Sequence, residues 1–150
     1  MNLKKILPVF SYIFHPIFIP VYTAFLYFFL NDSYYTNPEK YFAVLQIIII
    51  TIVLPLLFFF VLRATGQVNS IMIANISQRK IPLVIQCFLT ILLLRKSITV
   101  EHFPEFHFFF LGGLLSTIIA LILLFFKTKA SLHMVAISAL TVFVVGISIH

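Results

Sequence analysis

The chain has 150 residues, 62% of them hydrophobic and 9% charged, with a mean hydropathy of +1.15. Soluble domains carry about a quarter charged residues, so this chain lacks the polar surface to cover a water-facing globule. Its formal net charge is +6, but the ten basic residues are scattered over the ends of apolar segments, which fits topology and lipid headgroups better than nucleic acid.

Apolar runs of this length fit helices; a membrane barrel would show short alternating strands. The fold class expected is therefore all-α: one transmembrane helical domain over residues 1–150, with five apolar helices present of an expected six. The first segment spans 6–30 and is interrupted by Pro8, Pro16 and Pro20. It follows the charged start MNLKK but lacks a small-residue cleavage site, so it reads as a retained helix rather than a signal peptide. The second spans 41–62 and contains Pro55. The third, 81–94, is short for a span of roughly 20 residues. It lengthens if Arg95 and Lys96 snorkel and residues 97–100 continue it. The fourth spans 106–126, with Gly112 and Gly113 offering one close helix contact. The fifth starts at Ala130 and is still apolar at His150, so a continuation of the chain beyond that residue is expected.

The connections are short apart from 63–80, within which residues 70–74 read as a short interfacial helix. Tyr34, Tyr35 and Tyr41 flank the first connection, as interfacial aromatics do. Lone Cys87 inside an apolar run reports neither a disulfide framework nor a metal cluster. With alternating helices, Lys4, Lys5, Arg63, Arg79, Lys80, Lys127 and Lys129 lie on one side, against Lys40, Arg95 and Lys96 on the other. The bias favours an inside N-terminus. If the four cations at 79, 80, 127 and 129 bind an anion they are poor topology markers, and the face stays undecided.

The same alternation makes NISQRKIPL (75–83) and KTKASLHM (127–134) neighbours. Together they offer Arg79, Lys80, Lys127, Lys129, Ser131 and His133, with no carboxylate in either stretch. Cations with a hydroxyl and an imidazole, but no acidic partner, suit a phosphate. A helix starting near Ser131 adds its free N–H groups, and His133 can donate a proton. The structural alternative is that basic residues sit at headgroups and Ser131 is a helix N-cap. His15, before Pro16, reads as bonding a carbonyl freed by a kink, with membership of the pocket as the alternative. The run EHFPEFH (101–107) holds two His and two Glu. Because Pro104 breaks helical spacing there, it reads as a hydrated loop and helix start rather than a metal site.

KASLHM resembles the second signature of the PAP2 phosphatase superfamily (type 2 phosphatidic acid phosphatases), whose small membrane members carry Lys-x-Ser-x-His. QRKIPL resembles the end of the first signature, and FHPIFIP (14–20) is similar to the opening helix of bacterial members. The resemblance implies a six-helix bundle that hydrolyses phosphoesters without a metal or other cofactor. Arg79 would grip phosphate oxygens, supported by Lys80 and by Lys127 or Lys129. Ser131 would hydrogen-bond the phosphate, and His133 would protonate the leaving alkoxide. Two departures stand out. Met72 occupies the place of the first signature's Lys, and the third signature, which supplies the nucleophilic histidine, is absent from these residues, no Asp occurring after Asp32.

The function expected is hydrolysis of a lipid phosphate or diphosphate through a phospho-histidine, in a bacterial inner membrane. The chain as given would be inactive by itself, and its first two helices would wall the lipid tail. Expected partners are the lipid substrate and membrane lipids, not nucleic acid; self-association is left open. Two alternatives are a non-enzymatic subunit with a rim for anionic lipid, and a small transporter or flippase component. The latter would need polar residues at mid-bilayer depth, for which Gln86, Thr90, Ser116, Thr117 and Ser138 are the supply.

Overall fold

The computed structural model describes residues 15–30, 35–68, 76–128 and 130–149. Five helices occur among them: α1 (Ile19–Leu30), α2 (Asn37–Ala64), α3 (Ile76–Lys96), α4 (Pro104–Phe125) and α5 (Leu132–Ile149). Three of them, α2, α4 and α5, are long and apolar enough to cross a membrane, and α1 is a shorter apolar helix. Large apolar side chains such as Phe29, Tyr41, Phe126, Val142 and Ile149 stand on the outside of the bundle. That surface suits hydrocarbon rather than water, as expected of an integral membrane protein.

Proline placement explains several boundaries. Pro20 sits in the first turn of α1, where its missing N–H costs nothing. Thr36 precedes α2, and both its N–H and its hydroxyl donate to Glu39 Oε2, at 2.9 and 2.7 Å, the returning half of a capping box. Within α2, residues Ile49–Val53 widen into a π-turn just before Pro55. There the Leu54 N–H reaches back to the Ile49 carbonyl, so the interruption expected at Pro55 is absorbed by a register change rather than a break.

The third segment lengthens at both ends: Arg95 and Lys96 continue the helix, residues 97–100 do not, and five residues are added at its start. Helix α3 begins at Ile76, and residues 97–100 form a turn. Arg79 and Lys80 are therefore helical residues at the opening of α3 rather than members of a loop. The fourth segment begins at Pro104, two residues before the apolar run, because proline's fixed φ fits the first helical turn. The interfacial helix expected at 70–74 lies outside the described residues.

Helices α3 and α4 pack as an antiparallel hairpin, α5 packs on α4, and α1 packs on both α2 and α5. An aromatic cluster holds one end together. Tyr27 of α1 stacks on Phe106 of α4, with centroids 5.1 Å apart and planes within 6°. Phe143 of α5 closes on both rings at about 6 Å. The Tyr27 hydroxyl donates to Glu105 Oε2 (2.9 Å) and so accepts from Tyr35 (2.7 Å). These bonds tie three elements together at the end opposite the histidine pair described next.

Candidate functional site

The other end gathers the starts of α1, α3 and α5 and the ends of α2 and α4. Lys80 of α3 places its Nζ 4.7 Å from the centroid of Phe125, in the last turn of α4, a cation–π contact. That contact sets the opening of α3 beside the turn from which α5 departs. Arg79 and Lys80 are half-buried there. Neither has an acidic residue in the first turn of its own helix to offset the positive end of the dipole.

Lys127 occupies an unusual backbone position. Helix α4 closes with the Lys127 N–H donating to the Leu124 carbonyl (3.2 Å) and the Thr128 N–H to the Leu123 carbonyl (3.0 Å). This is a Schellman closure, and Lys127 sits at its left-handed position with φ 57°. Helix α2 closes the same way: the Gly66 N–H donates to Arg63 (3.1 Å) and the Gln67 N–H to Leu62 (2.9 Å). There the left-handed residue is a glycine, φ 73°. A lysine in that place carries a steric cost that glycine avoids.

Ser131 precedes α5, and its Oγ accepts the Met134 N–H at 3.4 Å while its carbonyl accepts the Val135 N–H at 3.1 Å. It is the N-cap of α5, and its side chain is exposed. His133 follows in the first turn. Its Nε2 is buried and has no hydrogen-bond partner among the described residues. The ring stands edge-on to His15, centroids 5.3 Å apart and planes at 84°. Lys129 lies outside the described residues.

Comparison with known proteins returns nothing: no family model, no curated protein and no solved structure matches the chain.

His15 is the first described residue, and the carbonyl that Pro16 would free, at residue 12, lies outside the described residues. The His15 Nδ1 accepts the Ile17 N–H (3.3 Å), and its own carbonyl accepts the Phe18 N–H (2.9 Å). Pro16 has no N–H to give, so Ile17 is the first donor available after it. The signal was an ionisable residue inside an apolar run; what the sequence could not carry was its partner on the last helix.

The run 101–107 splits four ways. Glu101 and His102 are exposed, with His102 Nδ1 3.1 Å from the Thr99 hydroxyl. Glu105 takes the Tyr27 hydroxyl, and His107 Nδ1 donates to the Ile98 carbonyl at 2.7 Å. Among the described residues no three His, Cys, Asp or Glu side chains gather as a metal site would require.

Two cavities bear on where a lipid tail would lie. One of about 270 Å³ sits between α1 and α2 and includes Phe25, Phe29, Lys40 and Tyr41, at the end away from His133. A larger open groove of about 1030 Å³ runs between α4 and α5, from Glu105 and Tyr27 to Met134, next in chain to His133. The greater space is thus beside the last helices, not the first two. The hydroxyls of Thr90, Ser116 and Thr117, counted as mid-membrane polar groups, donate to the carbonyls of Gln86, Gly112 and Gly113 in their own helices. They serve their own backbone.

Proposed function

We propose that this chain is the phosphate-binding and general-acid portion of a PAP2-like lipid phosphatase of a bacterial inner membrane, built on a six-helix plan. The observation that carries the reading is the grouping at one end of the bundle of Arg79 and Lys80 at the opening of α3, Lys127 in the turn after α4, and Ser131 and His133 at the opening of α5. Two helix openings and three cations lie at the end of the bundle that holds His133, whose Nε2 is shielded and lacks a partner among the described residues. Such a place favours an anion with several oxygens.

On this reading Arg79, with Lys80, Lys127 and Lys129, holds the phosphoryl oxygens of a lipid phosphate or diphosphate. Ser131 and the backbone N–H groups beside it add hydrogen bonds. His133 gives its proton to the alkoxide as the phosphorus–oxygen bond breaks, while a nucleophilic histidine, which the signatures present here do not supply, takes the phosphoryl group. The groove between α4 and α5 opens next to His133 and is the place for the tail. Lysine at the left-handed position after α4 supports the same reading, since strained residues that persist tend to have a use.

The test is phosphate release from phosphatidate in proteoliposomes, using protein from the complete reading frame. Release by the wild type and its loss in a folded His133→Ala variant support the reading. Release unaffected by that substitution, or none from any lipid phosphate, overturns it. Salt-sensitive retention of anionic lipid without hydrolysis would instead favour the non-enzymatic rim.

A further inference from the structure

Resting on the phosphate reading above, we propose that His15 is a positioning residue whose imidazole sets the tautomer and ring orientation of His133. One ring stands four residues before α1 and the other in the first turn of α5, and they meet edge to face at 5.3 Å. His15 is held from behind: its Nδ1 is occupied by the Ile17 N–H and its carbonyl by the Phe18 N–H. In the neutral ring the proton is then on Nε2, which makes His15 a polar group with one ring N–H. The ring it touches is His133, whose own Nε2 is shielded and without a partner among the described residues. No hydrogen bond joins the two rings among the described residues, so His15 acts on the His133 proton through its dipole at ring contact rather than through a bond.

Three other roles fit less well. As a nucleophile, His15 would need phosphorus between itself and the leaving oxygen, and rings already in contact leave no room for a phosphoryl group between them. As one of a pair of metal ligands it lacks a third among the described residues, and the lysines at this end repel a cation. As packing alone, a phenylalanine, one of the commonest residues in this chain, would serve without the cost of an ionisable group at the membrane.

His15→Phe separates these possibilities, because it keeps the ring and loses both nitrogens. Protein from the complete reading frame, labelled with ¹⁵N in its histidine rings, is compared as wild type and His15→Phe in detergent, with His133→Gln used to assign the His133 signals. The proposal expects the His133 ring signals to move in His15→Phe, kcat for phosphatidate hydrolysis to fall about tenfold, a part of the roughly 10²–10⁴-fold that a general acid contributes, and KM to stay unchanged. Ring signals and kcat that both remain at wild-type values overturn it. If His15→Phe fails to fold, His15→Asn gives the same comparison with a smaller polar side chain, and unmoved His133 signals there overturn the proposal equally. Absence of hydrolysis in the wild type would fell the phosphate reading but not this one, which the spectra decide on their own.

Discussion

Lys127 closes α4 in the same left-handed position that Gly66 occupies at the close of α2. Two helices of one bundle thus end in the same hydrogen-bonded turn, one with the residue that the turn prefers and one without. Replacing Lys127 by Gly is expected to raise stability by about 1 kcal/mol, the cost of a side chain in that region less the entropy that glycine adds to the unfolded chain. If the lysine also serves a phosphate, the same substitution weakens binding of a fluorescent lipid phosphate in detergent. Unfolding midpoints and lipid titrations on one preparation read both quantities. A variant that gains stability with undiminished binding would remove Lys127 from the site.

Lys80 is expected to matter for charge more than for contact. Its Nζ lies over the Phe125 ring, and Lys80→Met keeps most of the stem that packs there while removing the cation. The expected outcome is a severalfold loss of lipid-phosphate affinity and a shallower dependence on salt, because one fewer cation competes with dissolved ions for the headgroup. Phe125→Leu is the complementary change: charge stays and the ring goes, so the salt dependence should keep its slope.

These cations were legible in the sequence as residues, not as a geometry. Long apolar runs marked α2, α4 and α5, the three helices long and apolar enough to cross a membrane, since hydrocarbon leaves a chain little else to form. The opening of α3 was not legible, because the polar run Ser77, Gln78, Arg79, Lys80 reads as a loop until a membrane boundary lets the helix carry it. Lys127 in a glycine's conformation carries no local signal at all. The contact between His15 and His133 joins the first described residue to the first turn of α5. Nothing short of the packing of α1 on α5 could reveal it.

At the opposite end, Tyr27 is expected to act on stability alone. Its buried ring is held by Phe106 and Phe143, and its hydroxyl links Tyr35 to Glu105. Tyr27→Phe keeps the stacking and removes both hydrogen bonds; exposed Glu105 and half-buried Tyr35 can be solvated instead, so the expected cost is about 1 kcal/mol. Binding of lipid phosphate, measured below the unfolding temperature, should be unchanged. A fall in affinity without loss of stability would mean that the Glu105 end of the groove takes part in holding the lipid.

Ser131 has a structural duty and a proposed chemical one, and substitution can part them. Its Oγ caps α5 through the Met134 N–H, so Ser131→Ala is expected to cost about 1 kcal/mol by loss of the cap. Asn caps a helix about as well as Ser, so Ser131→Asn should unfold at nearly the wild-type midpoint. If the serine only caps, Ser131→Asn also binds lipid phosphate normally. If its hydroxyl meets the phosphate, the longer amide displaces that contact and affinity falls while stability holds. Ser131→Asp sharpens the contrast: it caps well and favours the positive end of α5, yet sets a carboxylate where the phosphate would lie. The expected result is a stable protein that no longer binds lipid phosphate, and intact binding in that variant would place the anion elsewhere.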